Sequence, residues 1–168
     1  KSGALELKTV YRDDVEDGDY KVYYESGNLK IETHRSEGKE NGKRREYYEN
    51  GNLRLEGKYV NGKEEGIFTQ YYPNNQLEAE INFKNGKREG VEKIYYENGK
   101  LLSESNYKND KLEGEVRKYR ENGKLELVYD DGSIQSEGIV ESGLKEGVWK
   151  TYSKTGLLES TEKIKKGN

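Results

Sequence analysis

The sequence predicts an all-β fold: an elongated single-layer antiparallel sheet of tandem β-hairpins. Three observations carry this. Glycines at 18, 42, 66, 90 and 114 recur every 24 residues, each followed five residues later by tyrosine and eleven residues later by leucine (Leu29, Leu53, Leu77, Leu101, Leu125). A fixed period of this length marks a repeat architecture, in which stacked units bury together what one unit cannot. Within each unit the tyrosines run into Asn-Gly or a close variant, the strongest short-range hairpin signal. No stretch shows sustained helical periodicity.

Taken in order, the chain opens on a half repeat, 5–17, in which Leu5 and Tyr11 correspond to Leu77 and Phe83 of a complete unit. Repeats 18–41, 42–65, 66–89 and 90–113 follow, each numbered here from its glycine as position 0. Positions 7 to 9 read Glu-Ser-Gly, Glu-Asn-Gly, Pro-Asn-Asn and Glu-Asn-Gly. They predict a two-residue type I′ turn, with Asn75 standing in for glycine because asparagine tolerates φ > 0. A second turn is expected at Asn61-Gly62, Asn85-Gly86 and Asn109-Asp110. The phase then slips. Repeat 114–146 carries about nine extra residues, 124–132, expected as an added strand or loop, and the last unit runs 147–168. About 13 to 15 strands at about 4.8 Å each give a sheet near 65 Å long.

Pairing across a two-residue loop makes partner positions sum to 17. Position 6 then faces 11 (Tyr48 with Leu53, Tyr96 with Leu101), and position 0 faces 17 (Gly42 with Tyr59, Gly66 with Phe83, Gly90 with Tyr107). These pairs predict the core face, with aromatics covering the strand glycines. The other face pairs position 3 with 14: Lys21–Glu32, Arg45–Glu56 and Lys93–Glu104, with Thr69–Glu80 as the exception. Position 5 is tyrosine throughout (Tyr23, Tyr47, Tyr71, Tyr95, Tyr119, Tyr152) and falls on this charged face. Three readings stay open: a structural ladder stacked on Lys and Arg stems, an exposed aromatic strip that grips a partner, or a bulge that returns the rings to the core.

Composition bounds the function. Hydrophobic residues are 30% and charged residues 38%, a balance that favours disorder, but 15 tyrosines and the strict period oppose it. The core must be thin. A net charge of −3, from 30 basic and 33 acidic residues, gives no concentrated basic footprint, so no nucleic-acid partner is expected. There is no cysteine for disulfide or thiolate chemistry. No apolar run approaches the ~18 residues of a membrane helix. The chain starts at Lys1 and has no methionine, which gives a slight preference for a processed envelope or secreted protein over a cytoplasmic one.

No constellation stands out as catalytic, so no enzyme activity, cofactor or metal is expected. His34, the single histidine, reads as a solvated strand residue. The acids recur at repeat positions, leaving no unique general acid–base pair. Asp13, Asp14, Asp17 and Asp19 lack a calcium-loop spacing and read as an acidic turn. Lys39, Lys63, Lys87 and Lys111 form a solvated row. Trp149, the lone tryptophan, is expected to cap the core at the last unit.

The unit Gly-x-x-x-x-Tyr-Tyr-Glu-Asn-Gly-Asn-Leu, and Glu-Gly-Lys-Tyr-Val-Asn-Gly-Lys-Glu-Glu-Gly at 56–66, resemble the variant MORN repeat of bacterial proteins. The resemblance covers most of 5–166. It implies rows of β-hairpins in a long curved sheet, and a place among YwqK-like antitoxin proteins. MORN repeats in general are linked to membranes and to protein assembly. The second glycine of the eukaryotic type is absent here, so membrane contact is not expected. The expectation is a non-enzymatic scaffold for protein–protein interaction, antitoxin- or immunity-like, with the six position-5 tyrosines as candidate contacts. The alternatives are an envelope or surface structural protein, and glycan binding through the tyrosine row. Self-association through unsealed sheet ends is a further expectation.

Overall fold

A computed structural model describes residues 7–141 and 144–164. Leu5, the first mark of the opening half repeat, lies outside the described residues. Every regular element described is a strand, and 17 of them join one sheet. The hairpin Tyr11–Arg12 with Val15–Glu16 stands apart. The sheet is an antiparallel meander, each long strand pairing with the next. Three of its strands, Lys39–Glu40, Lys87–Arg88 and Lys111–Leu112, are two-residue lead-ins to the strand that follows.

The register follows the expected sum over most of each hairpin. Gly42 pairs with Tyr59, Gly66 with Phe83 and Gly90 with Tyr107. Lys21–Glu32, Arg45–Glu56, Lys93–Glu104 and Thr69–Glu80 are direct partners. Near the turn the register slips by one residue. Tyr47 pairs with Leu53 and Tyr95 with Leu101, which overturns the pairing of Tyr48 with Leu53 and of Tyr96 with Leu101. The cause is the loop. Tyr48 N donates to the Asn52 carbonyl and Gly51 N to the Tyr48 carbonyl. This is a three-residue loop in which only Gly51 is left-handed, at φ 88°. The bulge at position 12 absorbs the extra residue. Two-residue turns with both residues left-handed form at the second turn instead, at Asn61-Gly62 (φ 50° and 78°) and its equivalents.

The glycines of position 0 also have a different cause from the one expected. An added Cβ on Gly66 would meet nothing within 4 Å, so no aromatic covers it. Its φ of 83° is what demands glycine. The aromatic cover falls on position 15. A Cβ on Gly57 would overlap the Phe68 ring, and one on Gly138 would overlap Trp149. Phe68 and Trp149 are both 4% exposed. Tyr59 and Phe83 pack edge-on against Phe68, with centroids 5.4 and 5.0 Å away. The core is therefore a thin aromatic line on the face of positions 2, 4, 13 and 15. No large side chain among the described residues falls below 2% exposure.

Residues 124–132 supply the strand Lys124–Val128 and its turn, hydrogen-bonded on both sides in the sheet. Gly123, at φ 84°, does two jobs: it closes the turn after Tyr119 and opens a further 24-residue phase ending at Gly147. Only nine residues separate Gly114 from Gly123, an odd number. Side chains alternate with period two, so an odd step exchanges the faces. Arg117 is the direct partner of Leu127, and Tyr119 of Leu125. Beyond this seam, the face that carried Lys, Arg and Glu carries Leu125, Leu127 and Trp149.

Candidate functional site: the charged face and its tyrosine row

Position 5 is the last residue of the first strand of each regular hairpin, with the alternation placing it beside positions 1 and 3. Tyr23, Tyr47, Tyr71, Tyr95 and Tyr119 share the charged face and are all half-buried. Tyr152 is separated from them. It follows the seam and pairs on the side of Glu137, whose neighbours Glu126 and Lys118 point away from the charged face. The sequence alone joined six tyrosines in one row; the structure brings five together. Of the readings kept open, a return of these rings to the core does not occur, although the bulge exists. The bulge falls on the opposite strand, so position 5 keeps its side.

Three of the five tyrosines reach back to the preceding unit. Tyr47 Oη donates to Glu32 at 2.7 Å, Tyr95 to Glu80 at 3.2 Å, and Tyr119 to Glu104 at 3.2 Å. Each of these glutamates also stands directly between two position-3 residues, its own and the next unit's. Glu32 partners Lys21 and Arg45, Glu80 partners Thr69 and Lys93, and Glu104 partners Lys93 and Arg117. A line of alternating charge thus crosses the sheet, stitched by the tyrosine hydroxyls. The Tyr47 hydrogen bond, helped by Arg45 and Lys21, holds the Glu32 carboxyl below its usual range against the opposing effect of burial. Burial first, then Glu32, pushes the Tyr47 phenol up.

Tyr71 is the exception. Its equivalent glutamate, Glu56, is taken by Lys43 at 2.7 Å and Arg45 at 3.5 Å. No hydrogen bond from the Tyr71 hydroxyl is formed among the described residues. Tyr23 also lacks a glutamate, and Lys8 Nζ sits 4.8 Å from its ring centroid instead.

The position-6 tyrosines were expected in the core pair with leucine. They do something else. Tyr24, Tyr48 and Tyr72 each donate to the carbonyl of the next unit's position-5 tyrosine, at 2.7, 2.7 and 2.8 Å, and Tyr96 and Tyr129 repeat the pattern at 3.0 and 3.1 Å. They fix the backbone on which the candidate row stands. Arg120 breaks the line at the seam and turns to Glu126 at 2.7 Å. His34 is exposed, with Nδ1 3.4 Å from Asp19 Oδ1. Lys145 lies 4.1 Å over the buried Trp149 ring.

This is a surface built by repetition, with a rigid hydrogen-bonded floor and half-open rings. It supplies area and orientation. No curated protein matches the chain. The MORN repeat variant family matches residues 16–36, 40–61, 64–85, 88–109 and 112–128, its last match ending where the faces exchange. The chain belongs to the MORN repeat variant family.

Proposed function

We propose that this chain is a non-catalytic scaffold that binds a protein partner through the tyrosines of the charged face, in an antitoxin- or immunity-like role in a bacterium. MORN repeats build scaffolds, commonly for binding, and are generally non-catalytic. The observation that carries the reading is the row itself. Five rings stand at equivalent positions, each half-open, on a floor already fixed by hydrogen bonds. A preorganised aromatic row offers large contact area at low entropic cost. Tyr71, with Tyr47 and Tyr95 on either side, has its hydroxyl unbonded among the described residues and is the central contact.

The test uses the product of a reading frame adjacent to this one as the candidate partner. Tyr71→Ala is expected to weaken its binding by about 1–2 kcal/mol, the ordinary hot-spot scale, with little change in melting temperature. Calorimetric titration and a melting curve on the same variant decide it. A fall in stability that accounts for the whole binding loss would reduce the row to a structural ladder.

A further inference from the structure

The exchange of faces changes the chemistry of the charged face at the seam. In the regular units the residue opposite a position-3 cation is glutamate: Glu56 opposite Arg45, Glu104 opposite Lys93. At the seam the residue opposite Arg117 is Leu127. The next strand brings no charge back. Leu127 pairs there with Ser136, and Leu125 with Gly138, whose bare backbone carries the Trp149 ring. Val140 follows on the same side, because alternate residues share a face. Leu127 and Val140 are only half-buried.

These residues floor an open hollow of about 530 Å³. Arg117 and Tyr119 line one wall, with Glu115 at its end, and Lys145 lines the other. The size falls in the ordinary range of small-ligand sites, about 300–1,000 Å³. The two walls differ in charge. Arg117 faces Glu104 at 3.8 Å and has Glu115 two residues away on its own strand and face, so that wall has no positive charge to spare. The Lys145 ammonium lies 4.1 Å from the Trp149 ring centre, and among the described residues no carboxylate comes within ion-pair distance of it. Glu141 and Glu146 alternate to the other face of these strands. Glu162, the direct partner of Trp149, stands on the outer strand, on the side away from Gly138.

The hollow thus joins an aliphatic floor to one cation without an ion-pair partner. We propose that it binds an aliphatic chain ending in a carboxylate. The carboxylate meets Lys145, which acts as a point charge. The chain lies over Leu125, Leu127 and Val140 towards Tyr119, and leaves water in doing so. A free aliphatic acid and the C-terminal leucine, isoleucine or valine of a peptide share this chemistry. The site goes beyond the partner reading above: it shares only Tyr119 with the tyrosine row, and Tyr71 lies two units away.

Trp149 is the single tryptophan of the chain, so its emission reports on the site. Octanoate, kept below its micellar concentration, is titrated against the full chain by fluorescence and by calorimetry. A saturable isotherm with one site is expected, with a change in Trp149 emission as Lys145 turns from the ring to the carboxylate. Octylamine, of equal length and opposite charge, should not bind. A Gly-Gly-Gly-Leu peptide with a free carboxyl end, set against its amide, separates the two sources. If it binds more tightly than octanoate the site takes a peptide terminus; the reverse order assigns it to a free acid. Lys145→Met keeps the ring covered, removes the charge, and should weaken octanoate about tenfold. Leu127→Glu restores the residue type that faces the cation in the regular units, and should weaken it at least as much. Circular dichroism checks the fold of both variants. Saturable binding of neither octanoate nor the free peptide overturns the proposal. So does octylamine binding as tightly as octanoate, or a folded Lys145→Met variant with unchanged affinity.

Discussion

At the scale of single residues, hydrogen-bonded charge adds to what the thin aromatic core supplies. Glu32, Glu56, Glu126 and Glu137 all have carboxyls held below their usual range. The leading cause is the hydrogen bond from Tyr47 at Glu32, from Lys43 at Glu56, from Arg120 at Glu126 and from Lys124 at Glu137. A depressed carboxyl gives stability that is fully present above its ordinary value of 4.5 and lost as pH falls through the lower folded value. The tyrosines work in the opposite sense. Burial first, then Glu64, pushes Tyr59 from 10.0 up to about 12. A raised phenol gives stability present below 10.0 and lost as pH climbs through about 12. The melting temperature is therefore expected to hold a plateau between these limits and to fall on both sides. A scan by circular dichroism checks this; unchanged melting at either extreme would contradict the assigned hydrogen bonds.

Between elements, the tightest fit is an aromatic ring on a glycine. Phe68 on Gly57 and Trp149 on Gly138 are the same contact eleven residues apart, made in two places along the array. Gly57→Ala would drive a methyl into the Phe68 ring, which Tyr59 and Phe83 already hold edge-on. A loss of about 1–3 kcal/mol is expected, the usual scale of overpacking. Gly66→Ala has free space around it, so any loss there comes from φ alone. Urea melts of the two variants separate the causes: Gly57→Ala should disturb the aromatic near-ultraviolet signal, and Gly66→Ala should not. The period and the second turns were legible in the sequence because glycine and asparagine report local φ directly. The first turn was not. Asn-Gly fits both a two-residue and a three-residue loop, and only the hydrogen bond from Gly51 to Tyr48 distinguishes them.

Across the whole molecule, contacts run between sequence neighbours in a chain of hairpins, so the array behaves as a one-dimensional stack. Removing residues 66–89 joins equivalent positions and preserves every cross-strand register, the charge line included. The shortened chain should keep its β-sheet spectrum, melt at a lower temperature, and lose about 10 Å of length in small-angle scattering, two strands' worth. Collapse to an unfolded chain would mean that the stack is cooperative beyond its nearest neighbours. A step of nine residues works differently. Gly114 to Gly123 exchanges the two faces, so the surface on which Tyr119 stands becomes the surface that holds Trp149.

The sequence by itself determined the fold class, the 24-residue period, the turns at Asn61-Gly62 and its equivalents, and the cross-strand charge pairs. These depend on local φ and on a period of two, and both are written residue by residue. Only the tertiary structure decided which tyrosine hydroxyls are spent. It also showed that the aromatic cover belongs to Gly57 and Gly138, and that Tyr152 leaves the row. Those outcomes depend on which residue of one unit meets which residue of the next. A one-residue bulge, or one glycine shared between two units, changes that meeting without changing the repeat.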